Sequence, residues 1–280
     1  MITDDDRAAL AYWNAISGGW RIAPPLSPSA EDIQWFETSA GCLKAVPAPP
    51  PGALLLGVTA AIAHMRWPPE TSLVAVDWAW GMLRNAWVRP EGRIWAPPIC
   101  ADWRAMPLRT ASRDVAAGDG CYTALGSYEN AARMNAEIGR VLRDGGLYCL
   151  RAFARPERPE PVAGLFDELA QGSLRNFDLF RWRLAMAVQG SSHSGVVLSE
   201  VWRCWSEHVG ATRGLAERYG WADSSVRTLE RWKTVAMRYY FPSLEELHAL
   251  AAPCFEVLSC EIPGYAWGER FPRIVMRARR

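Results

Sequence analysis

Between Gly52 and Arg155, short apolar runs alternate with stretches of helical period. Ala53-Leu54-Leu55-Leu56 ends on Gly57, and Leu73-Val74-Ala75-Val76 ends on Asp77. Wholly apolar runs this short, closed by a glycine or an acid, predict strands buried on both faces. A third strand is expected near Ile94 to Ala101, followed by Asp102, a fourth at Arg113 to Gly118, and a fifth at Leu147 to Phe153. Helical pieces fall between them, at Ala60 to Met65, around Gly81 to Ala86, and at Ser127 to Leu142. In the last of these Ala131, Met134, Ile138, Val141 and Leu142 share one face. Such alternation predicts βαβ units, hence an α/β fold whose mostly parallel sheet carries helices on both faces.

The flanks read differently. Ser27-Pro28-Ser29 ahead of Ala30-Glu31-Asp32 marks a helix start, with acids in the first turn. Pro47-Ala48-Pro49-Pro50-Pro51-Gly52 is a stiff connector, because proline lacks the N–H and fixes φ. From 156 to 240 the strand–helix rhythm stops. Leu174, Phe177, Leu184 and Val188 form one helical stripe, and Val197, Val201 and Trp205 another, which predicts an all-helical insertion. Ser243-Leu244-Glu245-Glu246 then opens a helix as a capping box, before two strands, Phe255–Ile262 and Phe271–Arg279, joined closely enough to be antiparallel. The expected organisation is a helical lead over 1–51, a core over 52–155 and 241–280, and a helical insertion over 156–240.

Composition narrows the function. The net charge is +1 with 22% charged residues, so no global basic field points to nucleic acid. Seven scattered cysteines without C-x-x-C spacing suggest neither a disulfide scaffold nor a metal site. The longest apolar run is broken by the prolines at 47–51 and is too short for a membrane span. An acidic Asp4-Asp5-Asp6 beginning is unlike a secretory leader, which makes the cytoplasm the expected compartment. The chain carries 15 tryptophans, whose flat faces and single N–H donors suit planar ligands as well as cores.

An open parallel sheet binds ligands beyond the carboxyl ends of its strands. Those ends carry Gly57-Val58-Thr59, Asp77-Trp78, Asp102-Trp103 and Gly118-Asp119-Gly120. Asp77 follows Gly57 by about twenty residues, the spacing at which an acid after the second strand can take both hydroxyls of a ribose. The ordered set resembles the motifs of class I S-adenosylmethionine-dependent methyltransferases. Leu54 to Thr59 resembles the first motif, Leu73 to Asp77 the second, and Ala101 to Leu108 the stretch whose acid meets the adenine amine. Asp114 to Gly120 resembles the fourth, Leu142-Arg143-Asp144-Gly145-Gly146 the turn before strand five, and the last two strands the reversed seventh strand beside the sixth. The resemblance covers roughly 52–153 and 242–280. It implies a Rossmann-like seven-stranded sheet with its last strand antiparallel and S-adenosyl-L-methionine as cofactor. Gly57, Thr59, Asp77, Trp78, Met82, Asp102, Trp103, Gly118 and Asp119 would bind it, with Arg21, beside Trp20 in the lead, on the methionyl carboxylate. The chain departs from the pattern in one place: the first motif normally holds two or three glycines, and here Gly57 stands alone before Val58, Thr59 and Ala60.

Methyl transfer from a sulfonium is an in-line displacement that needs alignment, dryness and, for some nucleophiles, a base. His193, in the polar Gly190–Gly195 loop, and Tyr122, after the fourth motif, are the catalytic candidates. Three readings compete: a methyltransferase for a small-molecule acceptor, a macromolecule methyltransferase, and a binding or scaffold protein on the same fold with lapsed catalysis. Near-zero net charge disfavours nucleic acid as acceptor, and no membrane partner is expected.

Overall fold

Helices α1 (Asp4–Ile16) and α2 (Ala30–Gly41) lead into a run of alternating elements. These are β1 (Gly52–Leu56), α3 (Ala60–Ala63), β2 (Ser72–Asp77), α4 (Trp80–Asn85), β3 (Ile99–Cys100), β4 (Arg113–Asp119), α5 (Cys121–Leu125), α6 (Tyr128–Val141) and β5 (Leu142–Arg151). Next come α7 (Val162–Gln171), α8 (Phe177–Gln189), β6 (Val196–Val197), α9 (Leu198–Thr212), α10 (Leu215–Tyr219), α11 (Asp223–Arg231) and β7 (Arg238–Tyr239). The chain ends with α12 (Leu244–Ala251), β8 (Phe255–Glu261) and β9 (Arg273–Ala278). This computed structural model describes residues 2–19, 22–41, 51–90, 98–212, 214–221 and 223–279.

The main sheet runs β3-β2-β1-β4-β5-β9-β8. β1 pairs in parallel with β2 on one side and β4 on the other, β4 pairs in parallel with β5, and β9 runs antiparallel to both β5 and β8. This is the expected seven-stranded Rossmann-like arrangement with the last strand reversed. Its cause lies in the side-chain alternation of the strands. Leu54, Leu56, Val74, Val76 and Ala116 bury one face against Met134, Ile138 and Val141 of α6 and Leu247 of α12. Ala53, Leu55, Leu73, Ala75 and Val115 bury the other against Trp35 and Phe36 of α2. With both faces covered, each large aliphatic side chain contributes ~1.5–3 kcal/mol of burial. The chain leaves β1 toward β2 and later returns on the opposite side as β4. The carboxyl ends of β1, β2 and β4 therefore border a crevice.

Local signals act as read. Ser29 Oγ accepts from Asp32 N (3.2 Å) while Asp32 Oδ2 accepts from Ser29 N (2.8 Å) at the head of α2. Ser243 and Glu246 form the capping box of α12. The third strand is shorter than expected, and the start of its predicted span lies outside the described residues. The insertion is not all helical. β6 and β7 form an antiparallel ribbon inside it, because Gly195 at φ 67° lets two backbones meet where a Cβ would overlap the carbonyl oxygens of Tyr239 and Gly126. No helix among the described residues is long and apolar enough to cross a membrane.

Candidate functional site

A cleft of about 920 Å³ opens at the carboxyl ends of β1, β2 and β4. Its floor is the turn after β1, where Gly57 (φ 86°) donates to the Val76 carbonyl at 2.7 Å. A Cβ on Gly57 would stand 3.6 Å from the Trp103 ring and 3.8 Å from Asp77 Oδ2, so the bare backbone leaves the space between those side chains open. Gly57→Ala should destabilise the chain by about 1–2 kcal/mol through the left-handed backbone and narrow the cleft. Chemical denaturation with a parallel ligand titration checks both.

Asp77 ends β2 on the cleft wall, with Oδ1 accepting from Ala79 N at 2.8 Å. Burial pushes its pKa up to about 6, and the Ala79 N–H opposes the rise. A carboxylate short of partners at this edge is disposed to take hydroxyl donors. Trp103 anchors its indole N–H on the Val76 carbonyl at 2.6 Å, which holds the ring under Gly57. Thr59, Trp78 and the buried Met82 also line the cleft.

Arg104 was not singled out in the sequence, yet it organises this end of the site. Its guanidinium holds both oxygens of Asp102 (2.7–3.0 Å), Oδ1 of Asp6 on α1 (2.7 Å) and Oδ1 of Asn130 on α6 (2.8 Å). It also lies over Trp78 at 5.3 Å. Burial pushes the Asp6 pKa up, but the Thr3 N–H and Arg104 hold it below the ordinary carboxylate value. Asp102 lines the cleft with both oxygens engaged by Arg104, so it is first of all half of an ion pair.

Helix α1 roofs the cleft with Asp6, Leu10 and Trp13. Thr3 and Asp6 form its capping box. Asn14 Oδ1 accepts from Gly81 N (2.6 Å), Asn85 donates to Ser17 Oγ (2.9 Å), and Tyr12 accepts from Trp232 Nε1 (3.0 Å). The roof therefore ties α4 on one side of the cleft to the insertion on the other.

The remaining candidates divide. Arg21, with Trp20, lies outside the described residues. Asp119 borders the cleft but is locked to Arg151 at 2.7 Å, with the two side chains 4% and 0% exposed. Gly118 serves packing: a Cβ there would stand 2.7 Å from Cys121 Sγ, and the residue is not among the cleft walls. Tyr122 is buried beneath α6, where its hydroxyl donates to Asn135 Oδ1 at 2.8 Å and burial pushes its pKa up. It reaches no cleft wall. The His193 side chain, 65% exposed, points away to Glu246 Oε1 (2.9 Å) and stacks on Tyr128 at 5.0 Å; its neighbour Ser194 is the residue that meets the cleft. His193→Ala should accordingly leave ligand binding and turnover within about twofold, less than ~0.5 kcal/mol; a larger loss of turnover in a folded variant would restore it as the base.

No protein-family model matches the sequence, and no curated protein matches it in sequence. The fold does have counterparts. The N-methyltransferase NodS from Bradyrhizobium japonicum, solved with S-adenosyl-L-homocysteine, is 10% identical over 98% of this chain and 99% of its own, with a TM-score of 0.50. A Rhodobacter sphaeroides protein provisionally described as a Zn-dependent alcohol dehydrogenase is 12% identical over 98% of both chains, with a TM-score of 0.57. Among the described residues, no group of three or more His, Cys, Asp or Glu side chains could hold a metal ion. The seven-stranded, mostly parallel sheet with antiparallel β9 matches the Rossmann-like methyltransferase fold. The chain has the class I, Rossmann-like S-adenosylmethionine-dependent methyltransferase fold.

Proposed function

We propose that the protein binds S-adenosyl-L-methionine in the cleft and transfers its methyl group to a small-molecule acceptor. The observation that carries this reading is the pairing of Gly57 and Asp77: an open backbone cradle beside a poorly partnered carboxylate, at the switch point of the sheet. Both features fit an adenosyl group. Asp77 would accept from the ribose hydroxyls, Trp103 and Met82 would flank the base, and Asp102 with Arg104 would close the adenine end. Thr59 and the turn after β1 border the path to the methionyl part. When bound, the cofactor supplies an electrophilic methyl group. The chain's own work is to orient it, to exclude water beneath α1, and to align the acceptor.

A small acceptor is favoured over a macromolecule because the cleft is roofed. Helix α1, the Ser27–Pro28 segment and Trp182, Ser194 and Arg238 of the insertion line it, and a net charge of +1 gives no global basic field. The insertion over 156–240 would select the acceptor. A calorimetric titration with S-adenosyl-L-homocysteine tests the reading. Micromolar binding at neutral pH is expected, and no heat at millimolar ligand would return the scaffold interpretation.

A further inference from the structure

Asp102 lines the cleft two residues past β3, and its carboxylate is met first by its own chain. Oδ1 accepts from Arg104 N at 2.8 Å and from Arg104 Nε at 3.0 Å, while Oδ2 accepts from Nε at 3.0 Å and from Nη2 at 2.7 Å. Three N–H groups therefore converge on two oxygens that offer about four lone-pair sites in all. Nε and Nη2 lie along one edge of the guanidinium, so the contact is the bidentate kind in which a cation meets a carboxylate most strongly.

The guanidinium is anchored on its far side too. Nη2 also donates to Asp6 Oδ1 on α1 at 2.7 Å, and Nη1 donates to Asn130 Oδ1 on α6 at 2.8 Å. The cation lies over the Trp78 ring at 5.3 Å. The Arg104 side chain is 6% exposed and that of Asp102 28%. Asp102 thus reaches the cleft with an open edge, but with its charge already answered from behind. The neighbouring walls are flat or apolar. Trp103 is pinned through its N–H on the Val76 carbonyl at 2.6 Å, and Trp78 and the buried Met82 line the same cleft. A ring face grips every purine alike, because every base has a π-face.

We infer that Arg104 sets the base specificity of the cleft by occupying Asp102, so that a purine is held by its faces and its exocyclic amine is not read. This rests on the proposed binding of an S-adenosyl ligand and widens the class the site takes, from adenosyl to purine nucleosyl thioethers with or without an amine at C6. A hydrogen bond to an ionised acceptor is worth about tenfold or more in affinity, and one to a neutral group only a few-fold. Asp102 joined to Arg104 offers the second kind.

The test is calorimetry on the full chain at neutral pH with two ligands. One is S-adenosyl-L-homocysteine, and the other is its 6-deamino analogue, in which hydrogen replaces the adenine amine. The analogue should bind within about threefold of the parent ligand; a larger loss would show that Asp102 reads the amine and would overturn the inference. Arg104→Met keeps the stem and removes the guanidinium, leaving Asp102 free. The analogue should then bind about tenfold or more weakly than S-adenosyl-L-homocysteine. The readout is this ratio, because a loosened α1 would weaken both ligands alike. Adding Asp102→Asn to Arg104→Met should return the ratio to about threefold or less. A ratio in Arg104→Met no larger than in the unaltered chain overturns the role of Arg104. If that variant does not fold, the ratio on the unaltered chain decides. Failure of S-adenosyl-L-homocysteine to bind the unaltered chain overturns the methyltransferase reading and this inference together, whereas binding with the wrong ratio overturns the inference alone.

Discussion

Asp77→Ala is expected to weaken binding of the S-adenosyl ligand by about tenfold or more, because hydrogen bonds to a charged acceptor are worth ~1.5–3 kcal/mol. The raised pKa adds a pH signature. Ribose hydroxyls donate to the carboxylate, so binding favours the ionised form. Affinity should therefore rise as pH increases toward about 6 and level off above it. Below 6 the loss should approach roughly tenfold per pH unit. The stability of the ligand-free protein runs the opposite way. The ordinary carboxyl value is 3.8 and burial lifts Asp77 to about 6, so the fold holds this proton more tightly than the unfolded chain does. Its contribution to stability is full below about 3.8 and is lost as pH rises through about 6. Asp77→Asn should flatten both curves. Calorimetry between pH 5 and 8, with thermal denaturation over pH 4 to 7, measures them; a folded Asp77→Ala variant with unchanged affinity sinks the ribose assignment.

The largest effect on stability is expected at Arg151. Its guanidinium is fully buried, donates to Asp119 (2.7 Å) and to the carbonyls of Pro25 (2.7 Å) and Leu26 (3.0 Å), and lies 3.7 Å from Asp32. Replacing it with leucine strands the buried Asp119 carboxylate and two carbonyl groups, and takes a cation from beside Asp32, which keeps Ser29, Tyr265 and Arg273. Breaking a buried pair from one side costs about 3–5 kcal/mol. The denaturation midpoint should fall accordingly, with Arg151→Lys only partly restoring it, since an ammonium cannot reproduce the planar fork. Because Pro25 and Leu26 lead into the Ser27–Pro28 wall of the cleft, the lysine variant should also bind S-adenosyl-L-homocysteine more weakly. A midpoint within 1 kcal/mol of the parent (about 2–4 °C) would mean that the Asp119 carboxylate finds another partner.

The parallel sheet was legible because its strands are buried on both faces, which leaves unbroken apolar runs whose ends mark the crevice. Gly57, Asp77 and Trp103 follow from that position. What escaped was everything set by contacts remote in sequence. Arg104 reads as an ordinary arginine until Asp6, Asp102 and Asn130 are brought around it. Helix α1 has a local signal in Thr3 and Asp6, a capping box with aspartate as its acid, but that signal says nothing of the cleft the helix covers. A polar glycine–serine loop says nothing of which way His193 faces; in the fold Gly195 packs that loop against the Tyr239 and Gly126 carbonyls, and the imidazole meets Glu246. Tyr122 lies in α5, a helix too short for periodicity to show which of its faces is buried.

Helix α1 closes long loops. Its bonds to Gly81, Arg104 and Trp232 join residues 67, 98 and 220 positions apart. Thirteen residues are marginal as an isolated helix in water. During folding α1 therefore has nothing to dock on until the sheet and the insertion have assembled, and it should join last. The same logic makes its release a partial unfolding that leaves the sheet intact. Amide exchange along 4–16 should outpace exchange in β1 and β4, and ligand in the cleft should slow it. One late-docking segment would then set both the final step of folding and the residence time of whatever the cleft holds.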